Sequence, residues 1–236
     1  MTNSEQRPAA YIFDVFGTIV DWRNSVAWVA TNFFSSRNIE IDGLAFADFW
    51  RDQYVPAMAR IRSGNRGYVS LDQLHYENLL ACLEHFDLQS NLSETECWAL
   101  NTAWEQLDPW PDSQDGLKAI KRRGIIAPCS NGSIALMTRL ARYGGLPWDC
   151  ILGADIAQNY KPEPKVYHAC CAALRLSPDQ VMMVAAHNDD LVAAQNAGLK
   201  TAFIARPQEH GTGQTKDLSA SGDWDRVVTR LDQLAD

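Results

Sequence analysis

The chain has 236 residues, 46% of them hydrophobic, and 21 Lys and Arg against 29 Asp and Glu leave a net charge of −8. That length admits a core of about 130 to 150 residues with an inserted lobe, or one large domain. With no basic cluster or tail, the acidic balance argues against a nucleic-acid partner, and an anionic substrate would need locally placed Arg or Lys.

Met1 to Pro8 are polar and carry no apolar h-region, so no signal peptide is expected, and no run approaches the ~18 apolar residues of a membrane span. Cys82, Cys97, Cys129, Cys150, Cys170 and Cys171 form no C-x-x-C pair. They read as reduced, buried thiols of a soluble cytoplasmic protein. The first element is a short strand over Ala10-Tyr11-Ile12-Phe13, broken by Asp14 and then by Gly17-Thr18. A carboxylate at the carboxyl end of a central strand stands where open α/β sheets place their ligands, the lesser alternative being that Asp14 merely caps the turn.

From Trp22 to Pro111 the pattern is helical. Val26, Val29, Ala30 and Phe33-Phe34 mark one helix; Ala45-Phe46, Phe49-Trp50 and Tyr54 mark a second, which can run to Arg62 despite Pro56. Ser63 to Gly67 is a loop by composition. Leu71, Leu74, Tyr76, Leu79-Leu80 and Leu83 form a third helix, and Ser93 with Glu96 is a capping-box signature for a fourth, stopped by Pro109-Trp110-Pro111. No strand is expected in this stretch, which reads as an all-helical cap domain inserted over residues 23–110. Its tryptophans suit an apolar lid or, for most of them, simply lobe core.

From Asp112 strands and helices alternate. Helix 116–123 leads to a strand over Ile125–Cys129 that ends at Ser130-Asn131-Gly132, followed by helix 134–143 and a short strand at Ile151-Leu152. Helix 164–174, strand Val181–Ala185, helix 191–197 closed by Gly198, and strand Thr201–Ala205 complete the alternation. A loop-like tail, 206–221, precedes a last helix over 223–234. The pattern predicts an α/β fold with a doubly wound, mostly parallel sheet, its core formed by residues 1–22 and 111–236.

Four polar groups then fall at strand ends or just beyond: Asp14, Ser130-Asn131, Lys161 and Asp190. In a doubly wound sheet those ends converge on one crevice. The ordered set resembles the haloacid dehalogenase-like hydrolase superfamily. Phe13-Asp14-Val15-Phe16-Gly17-Thr18 matches its nucleophile motif and Ser130-Asn131-Gly132-Ser133 its second. Tyr160-Lys161-Pro162-Glu163-Pro164 fits the third and His187-Asn188-Asp189-Asp190 the fourth, so the match spans nearly the whole chain. The resemblance implies a Rossmann-like core, a helical cap and an aspartate nucleophile that forms a covalent ester.

Two departures choose the branch. Phosphatase members carry a second Asp two residues after the nucleophile, where this chain has Phe16, and Gly-Asp at the head of the fourth motif, where it has Ala185-Ala186. A dianionic phosphoryl group needs a metal or several cations, and methyl groups ligate neither. What remains resembles the L-2-haloacid dehalogenase branch. That implies metal-independent, cofactor-free hydrolysis of short 2-haloalkanoic acids to 2-hydroxy acids, with haloacid and halide as the small-molecule partners; the resemblance is compatible with a homodimer. A magnesium-dependent phosphohydrolase and a non-catalytic binding protein are the competing readings.

By the resemblance, Asp14 is the nucleophile, Thr18 belongs to its motif, and Arg51 aligns with the family's halide-handling arginine, though a solvated cap residue reads the same way. Ser130 and Asn131 lie near the same pocket. Lys161 keeps Asp14 ionised, and Asp190 orients Lys161 and can activate the hydrolytic water. Tyr167 matches a tyrosine that helps bind the substrate carboxylate, or is core. Phe16, Gly17 and Trp50 flank the substrate. A helix amino terminus near Gly17-Thr18 or Ser130-Asn131 is expected to hold the substrate carboxylate. His187, where the branch commonly has Asn, can donate to halide, act as water base, or pack as a neutral ring; a bulky donor there narrows the halide pocket toward small halides, fluoroacetate's included.

Overall fold

A computed structural model describes residues 7–236; most of the polar amino-terminal segment falls on 1–6, outside the described residues. β1 (Ala10–Phe13) is buried along its whole length, and its alternation sends Tyr11 and Phe13 into one apolar cluster and Ala10 and Ile12 into another. A loop leads to β2 (Val20–Asp21), and then come five helices: α1 (Trp22–Ser35), α2 (Gly43–Asp52), α3 (Tyr54–Arg62), α4 (Leu71–His85) and α5 (Glu94–Asn101). Their starts are written in the sequence. The Asp21 carboxylate accepts from the Asn24 amide, Asp42 accepts from Leu44 and Ala45, and Ser93 and Glu96 cap each other reciprocally.

After β3 (Asp108–Pro109) the chain alternates: α6 (Ser113–Lys121), β4 (Ile125–Ser130), α7 (Ile134–Gly144), β5 (Leu152–Gly153), α8 (Ala154–Ala157), α9 (Pro164–Ala173), β6 (Val181–Ala185), α10 (Asn188–Asn196), β7 (Lys200–Ile204) and β8 (Arg226–Val228). The main sheet is parallel with strand order β5-β4-β1-β6-β7-β8. The chain winds outward from β1 through β4 to β5, then returns to β6 on β1's other side and winds the opposite way. Phe13 therefore pairs with both Pro128 and Val184, and the carboxyl ends of β1, β4 and β6 border the switch point where such sheets bind ligands.

The structure corrects the sequence reading in four places. The single helix expected through Pro56 is broken at Gln53. A proline ring clashes with the carbonyl four residues earlier, here Asp52, so α2 ends there and Pro56 falls in the first turn of α3, where its missing N–H has no acceptor to lose. A strand does occur before Pro111: Asp108–Pro109 pairs antiparallel with Val20–Asp21, tying the helical lobe's entry to its exit. Two residues are too few to show a period. The helix expected over 223–234 is instead β8 at the sheet edge followed by a 3-10 turn, Leu231–Ala235. The β-branched pair Val227-Val228 favours the strand. Finally, no helix starts at Gly17-Thr18; the Gly17 amide donates to the Val20 carbonyl in a turn.

That turn is held from below by the half-buried Trp110 and the buried Arg206 and Ser113. Trp110 Nε1 donates to the Gly17 carbonyl at 2.8 Å, Arg206 Nε to the Thr18 carbonyl at 2.9 Å, and Ser113 Oγ to the Ile19 carbonyl at 2.6 Å. Arg206 also pairs with buried Asp112 at 2.8 Å. Replacing Arg206 by Met strands that carboxylate, so urea denaturation is expected to report a loss of about 3–5 kcal/mol.

Candidate active site

The first residue past β1 is Asp14, and each of its oxygens is engaged. Oδ1 receives Lys161 Nζ at 2.8 Å, while Oδ2 receives the Thr18 hydroxyl at 2.7 Å and lies 3.2 Å from His187 Nδ1. Lys161 also donates to Asp190, whose second oxygen accepts the Tyr167 hydroxyl. The Thr18 hydroxyl accepts the Ala186 amide at 2.9 Å, and Asn131 Oδ1 accepts the Lys161 amide at 2.8 Å. Three strand ends and the loop before α9 are thereby stitched around one carboxylate.

The electrostatics follow from burial and pairing. Burial alone would raise the Asp14 carboxyl, but the Lys161 charge and the His187 hydrogen bond outweigh it and hold Asp14 well below the usual carboxylate range. Burial would also deprotonate Lys161, and the charges of Asp14 and Asp190 reverse that and push it above its ordinary value. His187 repeats the pattern. Against burial, the Glu209 charge and the Asp14 contact raise it well above its ordinary value, which favours the imidazolium. Glu209, nearly inaccessible, receives His187 Nε2 at 2.9 Å and Trp22 Nε1 at 3.0 Å, and the imidazolium draws its own pKa down.

A cavity of about 270 Å³ opens above Asp14. The core contributes Asp14, Phe16, Asn131, Lys161, Pro162, His187, Asp189 and Asp190; the helical lobe contributes Arg51, Tyr54, Val55, Met58 and Arg62. The break at Gln53 makes this wall, since it turns the last residues of α2 and one face of α3 toward the same space. The Arg51 guanidinium carbon sits 4.0 Å from the Tyr54 ring centre, 5.3 Å from Trp22 and 5.9 Å from Phe16, and its Nη1 is buried without a partner.

Asp14, Phe16, Arg51, Asn131, Lys161, His187 and Asp190, all singled out from the sequence, therefore meet at one cavity. The others lie behind it. Thr18 touches Asp14 and Tyr167 touches Asp190, while Ser130 turns its hydroxyl to the Gly132 amide at 3.0 Å. Gly17 adopts φ 86°, and a side chain there would strike the Glu209 carboxyl. Trp50 does not reach the cavity: its ring is fully buried in the lobe and Nε1 donates to the His75 carbonyl at 2.9 Å. Glu209, Tyr54 and Arg62 escaped the sequence reading. Glu209 stands alone in a loop with no motif; for the other two, the 54-58-62 helical spacing was the available signal.

A family model described as haloacid dehalogenase-like hydrolase matches residues 8–198. The chain belongs to the haloacid dehalogenase-like hydrolase family. Over 235 residues, 95% of this chain and 98% of the other, it is 30% identical to (S)-2-haloacid dehalogenase 1 of Pseudomonas sp. strain CBS-3. Among solved structures, it is similar to a defluorinating L-2-haloacid dehalogenase with a TM-score of 0.95 and 45% identity, covering 98% of this chain and 97% of that one. A second L-2-haloacid dehalogenase gives 0.90 and 44%, over 98% and 97%.

Within this family the donor set around Asp14 suits organic cations rather than a metal. Its oxygens already face an ammonium, a hydroxyl and an imidazolium, and Ala186 offers only an amide. A divalent cation could reach Asp14 only by displacing one of them. The same geometry predicts a titration. Glu209→Gln removes the largest influence raising His187, so burial should bring the ring's titration down from its wild-type position, as read by imidazole ¹H–¹⁵N NMR.

Proposed function

We propose that this hydrolase converts short 2-haloalkanoic acids to 2-hydroxy acids through an ester on Asp14, without a metal ion, with residues 23–110 acting as a cap over a core of 1–22 and 111–236. The observation that carries the reading is the pairing of a cation-bound carboxylate, Asp14, with a guanidinium, Arg51, caged by aromatic rings across one cavity. Oδ1 of Asp14 has Lys161 as its one described partner, whereas Oδ2 has two, so Oδ1 keeps a lone pair for attack. It displaces halide from the substrate's α-carbon in line; the C–X bond breaks with its electron pair, and no proton is needed. The departing anion meets the unpartnered Nη1 of Arg51, where apolar rings exclude water and strengthen the attraction. The likeness to a defluorinating enzyme supports fluoride as one of the leaving groups.

Esterification cancels the Asp14 charge, one of the two that kept His187 protonated, and the ring releases a proton. The neutral imidazole then takes a proton from water as the water oxygen adds to the ester carbonyl, and Glu209 stabilises the imidazolium that forms. Oδ2, in contact with the Thr18 hydroxyl, holds the developing oxyanion. Collapse passes that proton from His187 to the departing 2-alkoxide, and the hydroxyl proton left on Asp14 moves to the freed imidazole, so carboxylate and imidazolium both reform and one proton and one halide leave per turnover. Asp190 and Tyr167 keep Lys161 aimed at Asp14 throughout. All six cysteines are free, five of them buried, which supports work in a reducing compartment such as the cytoplasm. Among the described residues, no helix is long and apolar enough to cross a membrane.

Halide release from chloroacetate, fluoroacetate and 2-chloropropionate, read with a halide-sensitive assay, should proceed equally with excess EDTA or added magnesium. Asp14→Asn should fall by at least ~10³-fold, and Arg51→Met by about 10²-fold. Activity that needs magnesium, or that survives in Asp14→Asn, would overturn the mechanism.

A further inference from the structure

The cavity exceeds a three-carbon haloacid. Its volume of about 270 Å³ would hold about nine water-sized groups at roughly 30 Å³ each, whereas 2-chloropropionate has six heavy atoms. The surplus space faces a charge. α3 turns Tyr54, Met58 and Arg62 toward the cavity from one face, so this wall runs about 12 Å along the helix at 1.5 Å per residue. At one end the Tyr54 ring centre lies 4.0 Å from the Arg51 guanidinium carbon; at the other stands Arg62, with Met58 between.

The other cations of the cavity have their anions. Lys161 lies between Asp14 and Asp190, and His187 between Asp14 and Glu209. Arg51 takes the halide. The carboxylate that every 2-haloacid carries has backbone donors of its own, because the amides of Val15, Phe16 and Asn131, past the ends of β1 and β4, have no acceptor among the described residues. Arg62 alone is left over. It is half-buried at the seam between lobe and core, and its Nη1 donates to the Lys161 carbonyl at 3.2 Å. That bond fixes one corner of the guanidinium and leaves the Nε–Nη2 edge, two parallel donors with the geometry of a carboxylate.

The spacing suits a second acid on the same carbon chain. Lys161 spans the gap, since its carbonyl meets Arg62 while its ammonium meets Asp14. The guanidinium therefore stands about one lysine side chain from the nucleophile, a reach that a four- or five-carbon diacid covers from the carbon under attack. An alkyl tail of the same length would cover Arg62 and leave its charge unpaired, which is costly. Asp189, the remaining acid on the cavity wall, is exposed, so water and salt screen its repulsion.

We propose that Arg62 is a specificity-determining residue for 2-haloalkanedioic acids of four or five carbons, its free edge receiving the carboxylate remote from the halogen. The proposal rests on the dehalogenase reading for its chemistry, in which the remote carboxylate takes no part. Halide release from 2-chlorosuccinate is compared with release from its 4-amide, which keeps the shape and lacks the second charge, in wild type, Arg62→Gln and Arg62→Lys. Wild type should favour the diacid in kcat/KM by about tenfold or more, since only the diacid gains a charge-assisted pair. Arg62→Gln should remove most of that preference, mainly through KM, and Arg62→Lys, which keeps the charge without the fork, should restore part of it.

A wild type without the preference overturns the proposal. So does a preference that survives in Arg62→Gln, even where both substrates weaken together because the residue is only a strap between lobe and core. Succinate and succinamate, which carry no halogen, are titrated calorimetrically into the same three proteins. An Arg62-dependent preference for succinate in a protein that releases no halide from 2-chloropropionate would sink the dehalogenase reading and leave the diacid site standing. Turnover of 2-chloropropionate without that preference would do the reverse.

Discussion

The structure depends on a buried run of charge, Asp190–Lys161–Asp14, in which one ammonium serves two carboxylates and none of the three side chains is more than 10% exposed. Separated from water, Asp14 and Lys161 alone would each tend to shed its charge; together they keep it. The parallel sheet makes the arrangement reachable, because β1 delivers Asp14 and the segment past β6 delivers Asp190 to the same edge. The lysine comes from the loop before α9, its backbone fixed by Asn131. With His187 charged and Glu209 ionised, the core side of the cavity has two cations against four carboxylates, Asp14, Asp189, Asp190 and Glu209. It is net negative where an anion must enter. The cations that offset this, Arg51 and Arg62, come from the helical lobe. An anionic substrate is therefore attracted only where lobe and core face each other, which couples binding to the position of the lobe.

The two departures from the phosphatase pattern each do something positive in the folded chain. Phe16 packs edge-on to Trp104 at 5.8 Å and stands 5.9 Å from the Arg51 guanidinium, so the residue that replaces a proton donor also walls that arginine. Ala186 supplies no metal ligand, but its amide fixes the Thr18 hydroxyl, which in turn fixes Asp14. Losing two carboxylates thus leaves an apolar, hydrogen-bonded pocket instead of a vacant ion site. A leaving group that needs no proton is the chemistry such a pocket serves.

Much of this could be read from residues alone, for a physical reason. Buried strands end in short runs where polar groups stand out against apolar neighbours, and Asp14, Ser130-Asn131 and Asp190 lie at or near such ends; Lys161 was found by motif instead. Trp50 was misplaced because helical spacing assigns a residue to a face, and the break at Gln53 determined which face met the cavity. The two-residue strands β2 and β3 and the edge strand β8 are set by pairing across long separations, which no local period records. Glu209 was hidden for the same reason. Its partner His187 lies on another strand's end, and nothing near it in the chain announces a buried carboxylate.

The loop after β7 shows how far support can lie from the motif it supports. Arg206 reaches the Thr18 carbonyl and ties it through Asp112 to the Leu231 amide in the closing turn, while Glu209 reaches His187 and Trp22. One short segment thus steadies both the turn beside Asp14 and the His187 ring. Gly17 belongs to the same contact, since any side chain there would occupy the space of the Glu209 carboxyl. The glycine after Phe16 does more than turn the chain. It lets a carboxylate from the far end of the sequence come up beneath the nucleophile's loop and set the charge of the histidine beside it.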